Sequence, residues 1–171
     1  MISDNIILIG PMGAGKTTIG KKLAKSLHRP FIDVDETIEQ RLGVSISTIF
    51  DTEGEAGFRA REEKILTDIL KHHHRSVIAT GGGCVLTEGC RKMIVCQRLV
   101  VHIDVGIEQQ CRRLAADKKR PILQGGHLRQ KLIDLRQQRH AIYSAIADIH
   151  LLTDQYHFRQ ILRLIKEQLN E

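Results

Sequence analysis

The sequence predicts a three-layer α/β fold in which a five-stranded parallel sheet is flanked on both faces by helices. Two observations carry this. Short apolar runs alternate with longer stretches of helical period along the chain, the pattern of parallel strands joined by crossover helices. The first apolar run, residues 5–9, also passes directly into GPMGAGKTT, residues 10–18. That stretch fits GxxxxGK[ST] with Gly10, Gly15, Lys16 and Thr17 in register, and a helical period follows at once. Strand, glycine-rich turn and helix in that order make a phosphate cradle.

The chemistry explains the spelling. Glycines at 10, 13 and 15 let the backbone turn its N–H groups onto phosphate oxygens, and the following helix points its positive end at the same anion. Lys16 adds a mobile charge for the outer phosphates. Thr17 offers a hydroxyl to Mg2+, an ion that takes octahedral oxygen ligands.

Ile19, Leu23 and Leu27 recur at helical spacing while Lys21, Lys22 and Lys25 face elsewhere, so the first helix packs on the sheet and turns its lysines to water. His28, Arg29 and Pro30 end it. Residues 31–35, FIDVD, read as a second strand closing on two carboxylates. Residues 36–42 and 45–50 are short helical candidates separated by Gly43. A longer helix covers about residues 55–71, with Phe58, Glu62, Ile65 and Ile69 on one stripe and Arg59, Leu66 and Leu70 beside it.

Residues 76–79 are a third strand, ending in the triplet Gly81, Gly82 and Gly83. Residues 87–96 suit a helix capped by Thr87, residues 98–104 a fourth strand, and residues 106–116 a helix with Ile107, Cys111 and Leu114 aligned. DKKRPILQGGH, residues 117–127, is polar and glycine-rich as nucleotide-covering loops are, and is read as a lid. A long helix to about residue 147, a fifth strand at residues 149–152 and a last helix burying Phe158, Ile161, Leu162, Ile165 and Leu169 complete the chain.

Composition bounds the function. A chain of 171 residues suits one domain with one sizeable core. No apolar run approaches a membrane span, and the N-terminal stretch lacks a basic segment and a cleavage site, so a cytoplasmic protein without a targeting peptide is expected. The net charge of +6 invites a nucleic-acid reading, but four phenylalanines, two tyrosines and no tryptophan leave no stacking platform. Excess cation suits anionic ligands. Cys84, Cys90, Cys96 and Cys111 contain no CxxC pair, which argues against a zinc site and for free thiols. His72, His73 and His74 read as a solvated turn rather than a metal tract.

Which groups do chemistry is then a question of position. From Leu128 an inward stripe runs through Leu132, Leu135, Arg139, Ile142 and Ile146, placing an arginine in an apolar slot. A buried guanidinium needs an anion, either a structural carboxylate or a ligand's. Arg59 has Glu62 and Glu63 three and four residues on; they hold it as a surface pair or fix its fork for a ligand carboxylate. Arg120 sits in the lid, where closure brings a cation to phosphate. Asp33 and Asp35, leaving the second strand, are expected to look to opposite sides. The third strand ends without an acidic residue, so Asp33 is assigned to the metal, directly or through water, with Asp104 in reserve. Asp35 is assigned to the acceptor hydroxyl and its proton, or to capping the helix that follows.

GPMGAGKTTIG, FIDVD, IFDTEGEAGFRAREEKIL, ATGGG, DKKRPIL and RQQRHAIYSAIAD, in this order, resemble the shikimate kinase family from end to end, most closely over residues 10–83 and least after residue 122. The resemblance implies a P-loop NTPase fold like that of the nucleoside monophosphate kinases, with a lid over about residues 113–127 and a substrate-binding helical region. It implies ATP and shikimate as substrates, Mg2+ as cofactor, and no nucleic-acid or membrane partner. A monomer is expected because no surplus apolar helix face is apparent.

By the same resemblance Gly13, Ala14, Gly15, Lys16, Thr17 and Thr18 bind ATP phosphates, with Thr17 and Asp33 at the metal and Arg120 reaching the phosphates. Arg113 lies against adenine. Asp35 contacts shikimate hydroxyls and is the base at the 3-hydroxyl, Arg59 and Arg139 hold the carboxylate, and Gly82 offers backbone to the ring. The stretch Thr153, Asp154, Gln155, Tyr156 is one residue shorter than the family's common spelling and leaves Gln155 and Tyr156 both open as the adenine contact. A kinase for another hydroxylated acid such as gluconate would share the cradle and an anion clamp. A basic nucleotide-dependent regulatory module is the alternative from another class.

Overall fold

The computed structural model describes residues 3–115 and 127–170. Five parallel strands, β1 (Ser3–Ile9), β2 (Phe31–Asp33), β3 (Val77–Ala79), β4 (Gln97–Asp104) and β5 (Ile149–Leu152), lie in the order β2-β3-β1-β4-β5. The order reverses direction at β1, the strand that runs into the cradle, and in open parallel sheets such a switch point is where ligands bind.

β1 is apolar on both faces because helices cover both. Ile7 and Ile9 pack with Phe58, Leu66 and Ile69 from one side, and Ile6 and Leu8 with Leu23, Ile161 and Ile165 from the other. Asn5 on β1 is fully buried; its amide donates to the His73 carbonyl at 2.6 Å and to Gln97 Oε1 at 3.1 Å, and its oxygen accepts from Ser76 N–H at 2.8 Å. One side chain thereby ties the start of β1 to the chain entering β3 and β4.

Seven helices are described: α1 (Lys16–Leu27), α2 (Val34–Leu42), α3 (Ile46–His72), α4 (Glu88–Ile94), α5 (Ile107–Leu114), α6 (Leu128–Ile146) and α7 (Phe158–Leu169). A 3-10 turn, Cys84–Leu86, follows the glycine triplet. None of the described helices is long and apolar enough to cross a membrane.

Three local expectations are corrected. The second strand stops at Asp33, because Asp33 Oδ1 accepts from the N–H groups of Asp35 and Glu36 at 3.0 and 3.2 Å and so caps α2. The helices expected at 45–50 and 55–71 follow one another as α3 with no connecting loop, broken only at Gly54, whose φ of 70° and ψ of −176° interrupt the helix. Phe158 is not buried but 40% exposed, its ring covered by the Lys22 ammonium at 3.8 Å.

Candidate active site

Gly10 leaves β1 at a φ of 140°, and a Cβ there would lie 1.9 Å from the Ile103 carbonyl oxygen, so this close approach of the loop to β4 is open only to glycine. Gly15 caps α1 in the left-handed region, and Lys16 and Thr17 form its first turn with Thr18 exposed beside them. Lys16, 8% exposed, donates from Nζ to the Gly10 and Pro11 carbonyls at 2.7 and 2.9 Å. The loop is steadied from α5. Gln110 donates to the Met12 carbonyl at 2.8 Å, and Arg113 reaches the carbonyls of Gly13 and Ala14 at 2.9 and 3.3 Å.

Thr17 Oγ1 donates to Asp33 Oδ2 at 2.7 Å. Magnesium–oxygen bonds of about 2.0–2.1 Å put neighbouring octahedral ligands about 2.9 Å apart, so this hydroxyl and carboxylate already have nearly the spacing of one edge of a magnesium shell. The residues fit the ion. Asp104, the reserve, turns to partners other than Thr17 and Asp33: Arg136 grips both its oxygens at 2.9 Å and the Val105 N–H donates to it at 2.8 Å.

Asp33 and Asp35 do diverge, but not for the reason expected. Residues two apart on a strand share a face; the pair separates because Asp33 ends β2 while Asp35 lies in the first turn of α2. Asp33 is also the helix cap, so the capping role considered for Asp35 falls to its neighbour.

Residues 81–83 gather the other groups. A Cβ on Gly81 would sit 2.7 Å from Asp35 Oδ1 and 2.8 Å from Glu62 Oε1; on Gly83, 2.0 Å from Arg59 Nη2; on Gly82, 3.3 Å from Met12 N and 3.7 Å from Arg139 Nη1. The bare backbone thus lets Asp35, Glu62, Arg59 and Arg139 approach one strand end beside the cradle. Arg139 is inward as the α6 stripe predicts: it is 4% exposed, and its Nε makes no hydrogen bond.

Glu62, not Glu63, holds Arg59: Nη1 donates to Glu62 Oε2 at 2.6 Å, and Nη2 lies 3.4 Å from Glu55 Oε1. The partners respond oppositely. Burial pulls the Arg59 guanidinium down, yet the Glu62 charge and hydrogen bond outweigh it and hold it above its ordinary range. For Glu62, fully buried, burial costs more than the Arg59 attraction restores, and its carboxyl is raised to about 7. The ion pair is therefore held in a place that resists one of its charges.

Tyr143, one turn beyond Arg139, was not among the sequence candidates. It is 2% exposed, its hydroxyl donates to the Gly82 carbonyl, and burial raises it to about 12. Its signal was present in the sequence, since residues 139 and 143 share a helix face.

Beside the cradle a cleft is lined by Gly106, Arg112, Arg113, Thr153 and Asp154 among others. Thr153 and Asp154 follow β5 at its edge. Arg113 is exposed at the end of α5. Arg120 and nearly all of the expected lid lie outside the described residues.

Comparison with known proteins points to one family. The family model for shikimate kinase matches residues 12–170. A shikimate kinase of Vibrio cholerae serotype O1 is 44% identical over 167 residues, covering 98% of this chain and 95% of the relative. Among solved structures, shikimate kinase from Acinetobacter baumannii in complex with shikimate superposes with a TM-score of 0.91 at 40% identity, over 96% of this chain and 92% of that one. Shikimate kinase from Aquifex aeolicus gives 0.82 at 36% identity, over 97% and 96%. A cradle at the sheet's switch point, an inward arginine facing a glycine triplet, and likeness of this extent place the chain in the shikimate kinase family.

Proposed function

We propose that the protein transfers the γ-phosphoryl group of ATP to the 3-hydroxyl of shikimate, giving shikimate 3-phosphate and ADP in aromatic amino-acid biosynthesis. The observation that carries this is Arg139. A guanidinium 4% exposed, with a bare Nε, lies beside Gly82 and across the glycine triplet from Arg59; the nearby Glu62 charge is hydrogen-bonded to Arg59, so a ligand carboxylate would stabilise Arg139 further. A small acid's carboxylate between Arg59 and Arg139 would meet both forks, and its ring would lie over Gly82 with hydroxyls toward Asp35.

Each residue then has a task. Backbone N–H groups of residues 13–18 hold the phosphates, and Lys16 turns from the Gly10 and Pro11 carbonyls onto the outer phosphate oxygens. Thr17 and Asp33 would hold Mg2+, which would supply charge neutralisation for the transferring phosphoryl group. Asp35 accepts the hydroxyl proton, Arg113 borders the adenine, and Arg120 in the lid adds a second cation at the phosphates. Catalysis is positioning and electrostatic stabilisation rather than covalent chemistry. The protein acts as a cytoplasmic monomer with no nucleic-acid partner.

The test is coupled ADP release with shikimate, with gluconate and with no acceptor, with 31P NMR of the product. Release dependent on shikimate, with the new phosphate ester at the 3-position, supports the reading; equal release with gluconate or with neither acid defeats it.

A further inference from the structure

We propose that His102, Asp104, His140 and His150 form a site for one borderline transition-metal ion of the Zn2+ class, separate from the magnesium at Thr17 and Asp33. No sequence spacing joins these residues, and parallel register does. His102 on β4 is directly paired with His150 on β5. Asp104 stands two residues along the same face of β4, and α6 brings His140 to them from above. His102, Asp104 and His150 each offer one ligand atom, all within 4.8 Å of one another.

His140 stands outside that close group of three and approaches it through Asp104, so it must swing in from α6 to complete the shell. Asp104 Oδ2 lies 3.0 Å from His150 Nε2 and 3.9 Å from His140 Nδ1. Tetrahedral zinc with bonds of about 2.0–2.1 Å spaces its ligand atoms about 3.4 Å apart, between those two values. The rings of His102 and His150 are stacked with centroids 4.5 Å apart and 22° between planes, so one must turn for both lone pairs to converge. His150, its side chain 45% exposed, has room to do so.

A second, independent observation is His102 itself. It is 0% exposed, and neither ring nitrogen has a hydrogen-bond partner. Leaving a buried polar group unpaired is costly, and its ring neighbours are His150, Tyr143 at 4.9 Å and His140 at 5.6 Å. Coordination satisfies one of those nitrogens. Three imidazoles and one carboxylate select Zn2+, Ni2+ or Cu2+ over Mg2+. Arg136 stays on Asp104 as the outer hydrogen-bonding group that orients the carboxylate. Its positive charge also opposes the cation, so the site is weaker than a structural zinc site. An ion there would pin α6, which carries Arg139, to β4 and β5.

The experiment titrates the full chain with Co2+ alone and then Zn2+, in chelator-free buffer without ATP. The expected result is one Co2+ per chain with visible bands of a tetrahedral centre, displacement by Zn2+, and a raised thermal midpoint. His150→Ala and His140→Ala, both at partly exposed positions, each weaken binding by at least about tenfold. The triple variant His72→Ala, His73→Ala, His74→Ala binds as the natural protein does. No binding by the natural protein, undiminished binding by either single variant, or loss of binding in the triple variant overturns the proposal.

Discussion

Replacing Glu62 by glutamine removes a carboxylate that burial raises to about 7 while its Arg59 partner stays charged. Unfolded, the same group titrates near 4.5. Between these values the unfolded chain has released the proton and the folded chain has kept it, so the Glu62 contribution to stability is complete below pH 4.5 and lost as pH rises through 7. At about 1.4 kcal/mol for each tenfold change in proton activity, the loss is about 3 kcal/mol between pH 4 and pH 8.

The Glu62→Gln variant has no proton to exchange at this position. The difference in unfolding free energy, natural protein minus variant, should therefore fall by about 3 kcal/mol from pH 4 to pH 8, measured by urea denaturation with EDTA present. The difference is needed because His102, pushed down to about 3 chiefly by burial, contributes with the opposite sign: its stability is present above pH 6.5 and lost as pH falls toward 3. Subtraction cancels it. A difference independent of pH, or one that grows in favour of the natural protein at pH 8, would refute the claim that burial outweighs the Arg59 pairing.

Four further outcomes are expected. Lys16→Ala should slow single-turnover phosphoryl transfer by about 10²–10³, as for loss of one preorganised charge at the reacting phosphate; quenched-flow measurement of ADP checks it. Arg139→Ala should weaken shikimate binding by about 2–4 kcal/mol in calorimetry, and unchanged affinity would end the inward-arginine argument. Gly83→Ala places a Cβ 2.0 Å from Arg59 Nη2, so it should raise the KM for shikimate while leaving that for ATP close to natural, and should lower the thermal midpoint because the displaced guanidinium leaves the buried Glu62. Asp33→Asn keeps a competent helix cap but should raise the free Mg2+ needed for half-maximal rate; an unaltered Mg2+ profile removes Asp33 from the metal.

What the sequence reveals follows the range of its signals. Arg139 was legible because helical periodicity is local, and an arginine among Leu132, Leu135 and Ile142 is conspicuous. The cradle was legible because its glycines, lysine and threonine are contiguous. Asp35 was misplaced because the β-branched Val34 between two aspartates reads as strand, while the capping bond from Asp33 that starts α2 earlier leaves no mark in periodicity. Glu62 was visible as an inward acid, but its raised pKa depends on how far burial exceeds the Arg59 attraction, which needs three-dimensional distances. The pairing of His102 with His150 was out of reach, because parallel register between strands far apart in the sequence is written in no local pattern.

The central claim is that Arg59 and Arg139 hold an acid while Asp35 faces its alcohol beside the phosphate cradle. A crystal structure with shikimate and ADP tests it most directly. The account predicts the carboxylate between the two guanidinium groups and a ring hydroxyl within hydrogen-bond distance of Asp35; a ring bound with both guanidinium groups directed away from its carboxylate would contradict it.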